Sequence, residues 1–208
     1  MNEKGRLEAF SDGVMAIAIT LLTLDLVVPT RQELLDEGKT LAQALGALWP
    51  SFAAYVVSFL IIGIIWVNHH TLFGMLARVE RVLLFVNLLL LMLVAVIPFP
   101  TRLLAEYLTA ANRDSHIAAA VYSTTMLVTA IVYTGLFALA TRRADLLLPG
   151  VDADAVRRSL PRFGLGVGVY AVTVLLSFVS APLTLATHFV IAVYYVFDQT
   201  GARRNTAA

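Results

Sequence analysis

The sequence predicts an all-α integral membrane protein with six transmembrane helices, and three observations carry that prediction. Hydrophobic residues fill 59% of the 208 positions and charged residues only 14%, against about a quarter charged in a soluble globular domain. Near-continuous apolar stretches recur at about 9–29, 46–73, 82–104, 117–141, 160–180 and 182–198, each close to the roughly 20 residues that cross a bilayer core. Basic residues are uneven: with six spans, Lys4, Arg6, Arg78, Arg81, Arg142, Arg143, Arg157, Arg158, Arg162, Arg203 and Arg204 share the side of the termini, and only Arg31, Lys39, Arg102 and Arg113 lie opposite. Eleven against four places both termini in the cytoplasm by the positive-inside rule.

The first span holds Ser11, Asp12, Thr20 and Thr23 in an otherwise apolar helix. An acid at membrane depth is costly unless paired or hydrated, so it marks a functional or structural site. No basic head and small-residue cleavage site flank this span, so it is expected to stay in the mature protein. The second span is apolar until Trp66, Asn68, His69 and His70 near its cytoplasmic end, and the third meets Asn87 soon after it starts. Pro98 and Pro100 are expected to end or kink the third. The fourth span is uninterrupted. Only Ser180-Ala181-Pro182 divides the last two, whose combined length exceeds one crossing, so a tight turn is expected there. The connection 142–160 reads as a turn plus a short amphipathic helix capped by Asp152, or more plainly as a solvated linker. The connection 30–45 reads as polar loop. One six-helix domain, residues 1–208, accounts for the chain.

Several functions are excluded by composition. A net charge of +1 and the lack of a basic stripe with interleaved aromatics oppose nucleic-acid binding. Without cysteine there is no disulfide, thiolate metal site or cysteine nucleophile. His69 and His70 are adjacent and diverge by about 100° on a helix, unlike the i, i+4 pair of a zinc site. His116 and His188 are expected at the outer side. No metal site, cofactor site or enzyme active site is therefore expected.

At about 100° per residue, with Ile17 at zero, the first helix places Gly13, Thr20, Leu21, Leu24 and Val28 within about 60° of Ile17, and Arg6 and Phe10 extend the stripe toward the cytoplasm. Ser11, Asp12 and Thr23 fall on the far side, at about +120°, −140° and −120°. The stripe reads as plain helix packing or as a pore lining. In the second case several copies surround an axis, Ile17 and Leu24 form apolar constrictions that gate by dewetting, and Thr20 supplies a ring of hydroxyls. One chain holds one repeat, so such a pore needs symmetric neighbours. On the rear face, Asp12 is expected to join a histidine of the second span in a hydrogen-bonded network with Ser11, Arg6 and Asn87. That network either locks the first helix in place or senses protons through histidine. Asp25 and Glu106, near outer helix ends, read as wet residues or as a weak cation-attracting mouth.

Arg6-x-x-x-Phe10-Ser11-Asp12-Gly13-Val14, followed by Ala16-Ile17 and Thr20-Leu21-Leu22, resembles the signature of the transmembrane protein 175 potassium channel family, whose animal members act in endosomes and lysosomes. The resemblance extends to the six-helix layout and the segment Trp66 to His70. It implies a single-repeat prokaryotic member that forms a homotetramer in the cell membrane and passes potassium without a T-V-G-Y-G filter. It further implies pore contacts at Ile17, Thr20, Leu21 and Leu24, with potassium passing near Thr20. Arg6, Phe10, Ser11, Asp12, Trp66, Asn68 and either His69 or His70 would support the pore helix. The expected partners are further copies of the chain, the bilayer and monovalent cations. A proton-coupled secondary transporter using Asp12 and a histidine as relay is the alternative; a membrane-embedded hydrolase lacks a visible nucleophile.

Overall fold

The computed structural model describes residues 3–196, with the side chain of Arg162 outside the description. Arg203, Arg204 and the last two residues of the expected 182–198 span also lie outside the described residues. Ten α-helices account for most of the described chain: α1 Glu3–Leu21, α2 Arg31–Glu37, α3 Leu41–Ala47, α4 Trp49–Gly74, α5 Arg81–Val96, α6 Pro98–Tyr107, α7 Arg113–Arg142, α8 Ala153–Arg157, α9 Leu160–Ser177 and α10 Ala181–Tyr195.

Four units are long and apolar enough to cross a membrane: Glu3–Asp25, Trp49–Gly74, Arg81–Tyr107 and Arg113–Arg142. The apolar parts of the last two helices, Phe163–Ser177 and Ala181–Tyr195, are shorter than the expected 160–180 and 182–198 spans. Pro161 and Arg162 take up the first turn of α9, and residues 178–180 are spent in a turn whose Ser180 hydroxyl accepts the Leu183 amide at 3.3 Å.

Leu7, Ser11, Met15 and Ala18 recur at helical spacing on α1 and are buried, as is Leu22 just beyond it, fixing the face that packs on α4 and α5. The α-helix then tightens into a 3₁₀ turn over Leu22–Asp25. The third span bends at Ile97, because Pro98 has no amide to donate and the chain restarts as α6. Thr101 bridges the bend, its hydroxyl donating to the Ile97 carbonyl at 2.8 Å. Helices α4, α6, α7 and α10 pack together, and α9 lies along α7. Phe73, Leu90, Ile97, Leu104, Tyr122 and Phe137 are among the fully buried residues at their junctions.

Both longer connections are more ordered than expected. Residues 30–45 form α2 and the start of α3, each opened by a capping box, Thr30 with Glu33 and Thr40 with Gln43. The 142–160 connection is no solvated linker. Leu146, Leu147 and Val156 are buried, and Ala77 and Leu148 donate backbone hydrogen bonds to Leu146 and Met75, at 2.8 and 2.9 Å, stapling this segment to the α4–α5 turn. Asp152 caps α8 as expected. Arg157 reaches back to the Thr141 and Arg142 carbonyls at 2.9 and 2.7 Å, where a cation complements the negative end of α7.

Candidate functional site

The first helix has one covered face and one bare face. Ile17 is 60% exposed and Leu24 73%, and Phe10, Leu21 and Val28 are also exposed along the same side. Other membrane helices expose apolar side chains as well, among them Phe52 of α4, Phe85 of α5, Leu175 of α9 and Val190 of α10. Gly13 keeps the apolar strip of α1 open, with no atom within 4 Å of where a Cβ would sit. Thr20 interrupts the strip with a hydroxyl. Its Oγ1–H donates to the Ile17 carbonyl at 2.8 Å, which uses the only hydrogen the hydroxyl has and turns the oxygen lone pairs outward. Thr23 does the same toward the Thr20 carbonyl at 2.7 Å. The oxygen presented at this exposed position is therefore an acceptor.

Thr23 departs from its expected place on the rear face and is exposed. The reason is the 3₁₀ turn: at about 120° per residue instead of 100°, it swings Thr23 toward the bare side while Leu24 stays on it.

Behind the strip lies a buried chain of hydrogen bonds across three helices. His69 Nε2–H of α4 donates to Asn87 Oδ1 of α5 at 2.8 Å, and Asn87 Nδ2–H donates to Ser11 Oγ of α1 at 3.0 Å. Ser11 and Asn87 are fully buried and His69 is 1% exposed. The imidazole also stacks on Phe73, ring centroids 4.3 Å apart. Helical periodicity explains the choice between the histidines: His69 turns inward, while His70 is exposed and lies against Trp66.

Asp12 is not the centre of this network. It sits about 100° around the helix from Ser11, is only half-buried, and accepts a hydrogen bond from the Trp66 indole N–H at 2.9 Å. The expected Asp12–histidine hydrogen bond is thus replaced by two separate ties, a dry Ser11–Asn87–His69 chain and a wetter Asp12–Trp66 pair. Asn68 belongs to neither: it is buried but faces a cavity among α4, α7, α9 and α10. Arg6 and Phe10 are exposed at the near end of the strip, and Arg6 makes no side-chain bond among the described residues. His188 is fully buried within α10, its Nδ1–H donating to the Thr184 carbonyl at 2.9 Å.

Two further features are absent from the sequence reading, and a third adds Arg102 to the Asp25 and Glu106 pair. Lys4 donates to the Leu76 carbonyl at 2.7 Å, tying the start of α1 to the α4–α5 turn. Ser58, Thr101 and Tyr122 form a second buried chain, with oxygen separations of 2.7 and 3.0 Å, joining α4, α6 and α7. At the opposite end, Asp25 lies 3.9 Å from Arg102, and together with Glu106, Ser51 and Tyr55 they line a cavity of about 150 Å³. Among the described residues no group of three His, Asp or Glu side chains is placed to hold a metal ion.

Four membrane-length helices, with α1 anchored from behind by a buried hydrogen-bonded chain, define an integral membrane protein of the all-helical class. Comparison with known proteins makes this particular. The family model for the endosomal/lysosomal potassium channel TMEM175 matches residues 6–98. A potassium channel of Streptomyces collinus is 56% identical, over all of this chain and 98% of its own length. A potassium channel of Chamaesiphon minutus is 43% identical over 93% of this chain and 94% of its own. The crystal structure of a lysosomal potassium-selective channel TMEM175 homolog from Chamaesiphon minutus superposes with a TM-score of 0.83 at 41% identity, covering 94% of this chain and 97% of that one. This chain belongs to the TMEM175 family.

Proposed function

We propose that the chain forms a homotetrameric, potassium-favouring cation channel in a prokaryotic cell membrane, with α1 of each copy lining a central pore. The observation that carries this reading is the bare strip of α1, where Ile17, Leu21 and Leu24 stay exposed in the protomer and Thr20 turns acceptor oxygens outward. Four copies around an axis would cover the strip and make apolar rings at Ile17, Leu21 and Leu24, with a hydroxyl ring at Thr20 between them. Such constrictions close by dewetting, and the threonine oxygens replace part of a cation's water shell. The permeant ion needs no cofactor and moves passively down its gradient. The whole chain acts as one transmembrane domain. Helices α9 and α10 complete six crossings, and the basic excess on the side of the termini puts both in the cytoplasm. Ser11, Asn87 and His69, with Asp12 and Trp66 beside them, hold α1 in place.

Planar-bilayer recording of the purified protein under opposed potassium and sodium gradients tests this. Unitary currents reversing toward the potassium equilibrium potential are expected, with Thr20→Ala reducing the preference while assembly stays intact. Absence of unitary currents, with saturable proton-dependent uptake instead, would sink the channel in favour of the transporter. Unchanged selectivity in Thr20→Ala would remove the hydroxyl ring from the mechanism.

A further inference from the structure

Past Asp12, the first helix has few directional ties to its neighbours. Among the described residues the hydroxyls of Thr20 and Thr23 bond only to their own helix, and Met15, Ala18 and Leu22 are held by apolar packing. The next tie is Asp25, which ends the 3₁₀ turn Leu22–Asp25. Its carboxylate lies 3.9 Å from the Arg102 guanidinium of α6, and its side chain is only 19% exposed while that of Arg102 reaches water. The turn is seated against α4 and α6, where Asp25 shares its cavity with Ser51, Tyr55, Thr101 and Glu106. Arg102 is the one basic side chain in the lining.

We infer that Asp25 and Arg102 are positioning residues that fix the rotation of the outer end of α1 and so the aim of Leu24, a role that rests on the reading of α1 as the pore lining. Neighbours in a 3₁₀ turn stand about 120° apart, so drawing Asp25 toward α6 turns Leu24 to the bare side, where it is 73% exposed. The turn has little else to hold it. Two backbone bonds close its exit, from the Leu26 amide to the Thr23 carbonyl and from the Val27 amide to the Asp25 carbonyl, each at 3.2 Å, and 3₁₀ bonds are poorer in geometry than α-helical ones. A mostly covered carboxylate is costly to leave without a counter-charge, and Arg102 is the cation within reach. Glu106 lines the same cavity but carries the same sign as Asp25, so it cannot stand in for Arg102. The pair thus acts on the ion through Leu24 rather than by contact.

The experiment joins hydrogen exchange to planar-bilayer recording on the full chain, comparing wild type with Asp25→Asn, Arg102→Gln and Arg102→Lys. The Leu26 and Val27 amides should exchange at least fivefold faster in Asp25→Asn and Arg102→Gln, with amides around Ser11 unchanged. Unitary potassium conductance should rise at least twofold in both, because a loosened turn widens the Leu24 ring. Arg102→Lys, which keeps the cation, should stay close to wild type in both measurements. Charges acting only through their field predict opposite signs instead, a fall when the acid is removed and a rise when the base is removed. Such opposite shifts would overturn the proposal, as would unchanged exchange at Leu26 and Val27, unchanged conductance in both variants, or an Arg102→Lys protein that behaves as Arg102→Gln. Failure of the pore reading shows separately, as wild-type protein that passes no current, and it takes the positioning role with it.

Discussion

The two halves of the molecule differ in how often their polar side chains reach from one helix to another. In the first three spans, polar side chains reach between helices: Ser11 to Asn87 to His69, Asp12 to Trp66, and Ser58 to Thr101. In the last three, most hydroxyls turn back on their own helix, with Thr125, Thr129, Thr134, Thr141, Thr184 and Thr187 each donating to the carbonyl four residues earlier. Cross-helix ties exist there, such as His116 Nδ1–H to the Ser177 carbonyl at 2.7 Å, but they are sparse. The first half is fixed by directional bonds that set the rotation of α1, while in the second aromatic packing carries more of the contact between helices, as where Phe163 lies against Tyr133 and Phe137. The family model matches 6–98, which is the directional half.

Asn87→Leu should break this contrast most severely. It leaves the Ser11 hydroxyl and the His69 ring N–H buried without partners, each at about 1–3 kcal/mol. Thermal melting of the purified protein in detergent should fall by several degrees, and an unchanged melting curve would show that the chain does not hold α1. Tyr122→Phe comes next, at about 1 kcal/mol, because Ser58 keeps Thr101 as a partner when the phenol is lost. A loss as large as that of Asn87→Leu would mean that the two halves are tied by Tyr122 as firmly as α1 is tied by Asn87. Trp66→Phe removes a half-exposed bond to Asp12, and an average interhelical hydrogen bond in a membrane is worth about 0.6 kcal/mol. Thr184→Val sharpens the comparison from the other side. Its hydroxyl serves only its own helix and the Ser180 carbonyl keeps the Thr184 amide, so the melting temperature should fall less than in Tyr122→Phe.

How much of this was legible in the sequence follows the same division. The bare and covered faces of α1 were readable because a 3.6-residue period assigns every position once one is fixed, and that arithmetic failed only where the helix becomes 3₁₀, at Thr23. The bend at Pro98 and the turn at Ser180 were readable from local chemistry. Partner choice across helices was not. Asp12, His69 and Asn87 were placed at one depth, but depth does not say which side chains face each other, and Asp12 met Trp66 instead. Asn68 could have been separated from His69 by the 100° between neighbours. The Ser58–Thr101–Tyr122 chain gave no signal, since each is a lone polar residue on its own helix. The ordered connections did give one: Thr30-x-x-Glu33 and Thr40-x-x-Gln43 are capping boxes, and Leu146-Leu147-Leu148 is too apolar for a solvated linker.

The smallest effect is expected at the staple that joins the halves on the side of the N terminus. Arg143 lies 2.8 Å from Glu80 and 2.7 Å from Asp145, and Arg78 also pairs with Asp145. The Arg143 hydrogen bond, aided by Arg78, holds the Asp145 carboxyl down to about 2, from an ordinary 3.8. A carboxyl whose folded value is depressed stabilises the fold above its unfolded value and loses that contribution as pH falls through the folded one. The contribution is therefore complete above about pH 4 and fades toward pH 2. These side chains are about half exposed, so water and salt screen them and the effect is small. Asp145→Asn should melt slightly below wild type by a margin that is constant from pH 5 to 8, shrinks with added salt and closes toward pH 2. The backbone bonds from Ala77 and Leu148 remain in that variant, so the segment should stay docked. A margin that varied between pH 5 and 8 would point to a different titrating group, and a large one would mean that charge rather than the buried leucines holds the staple.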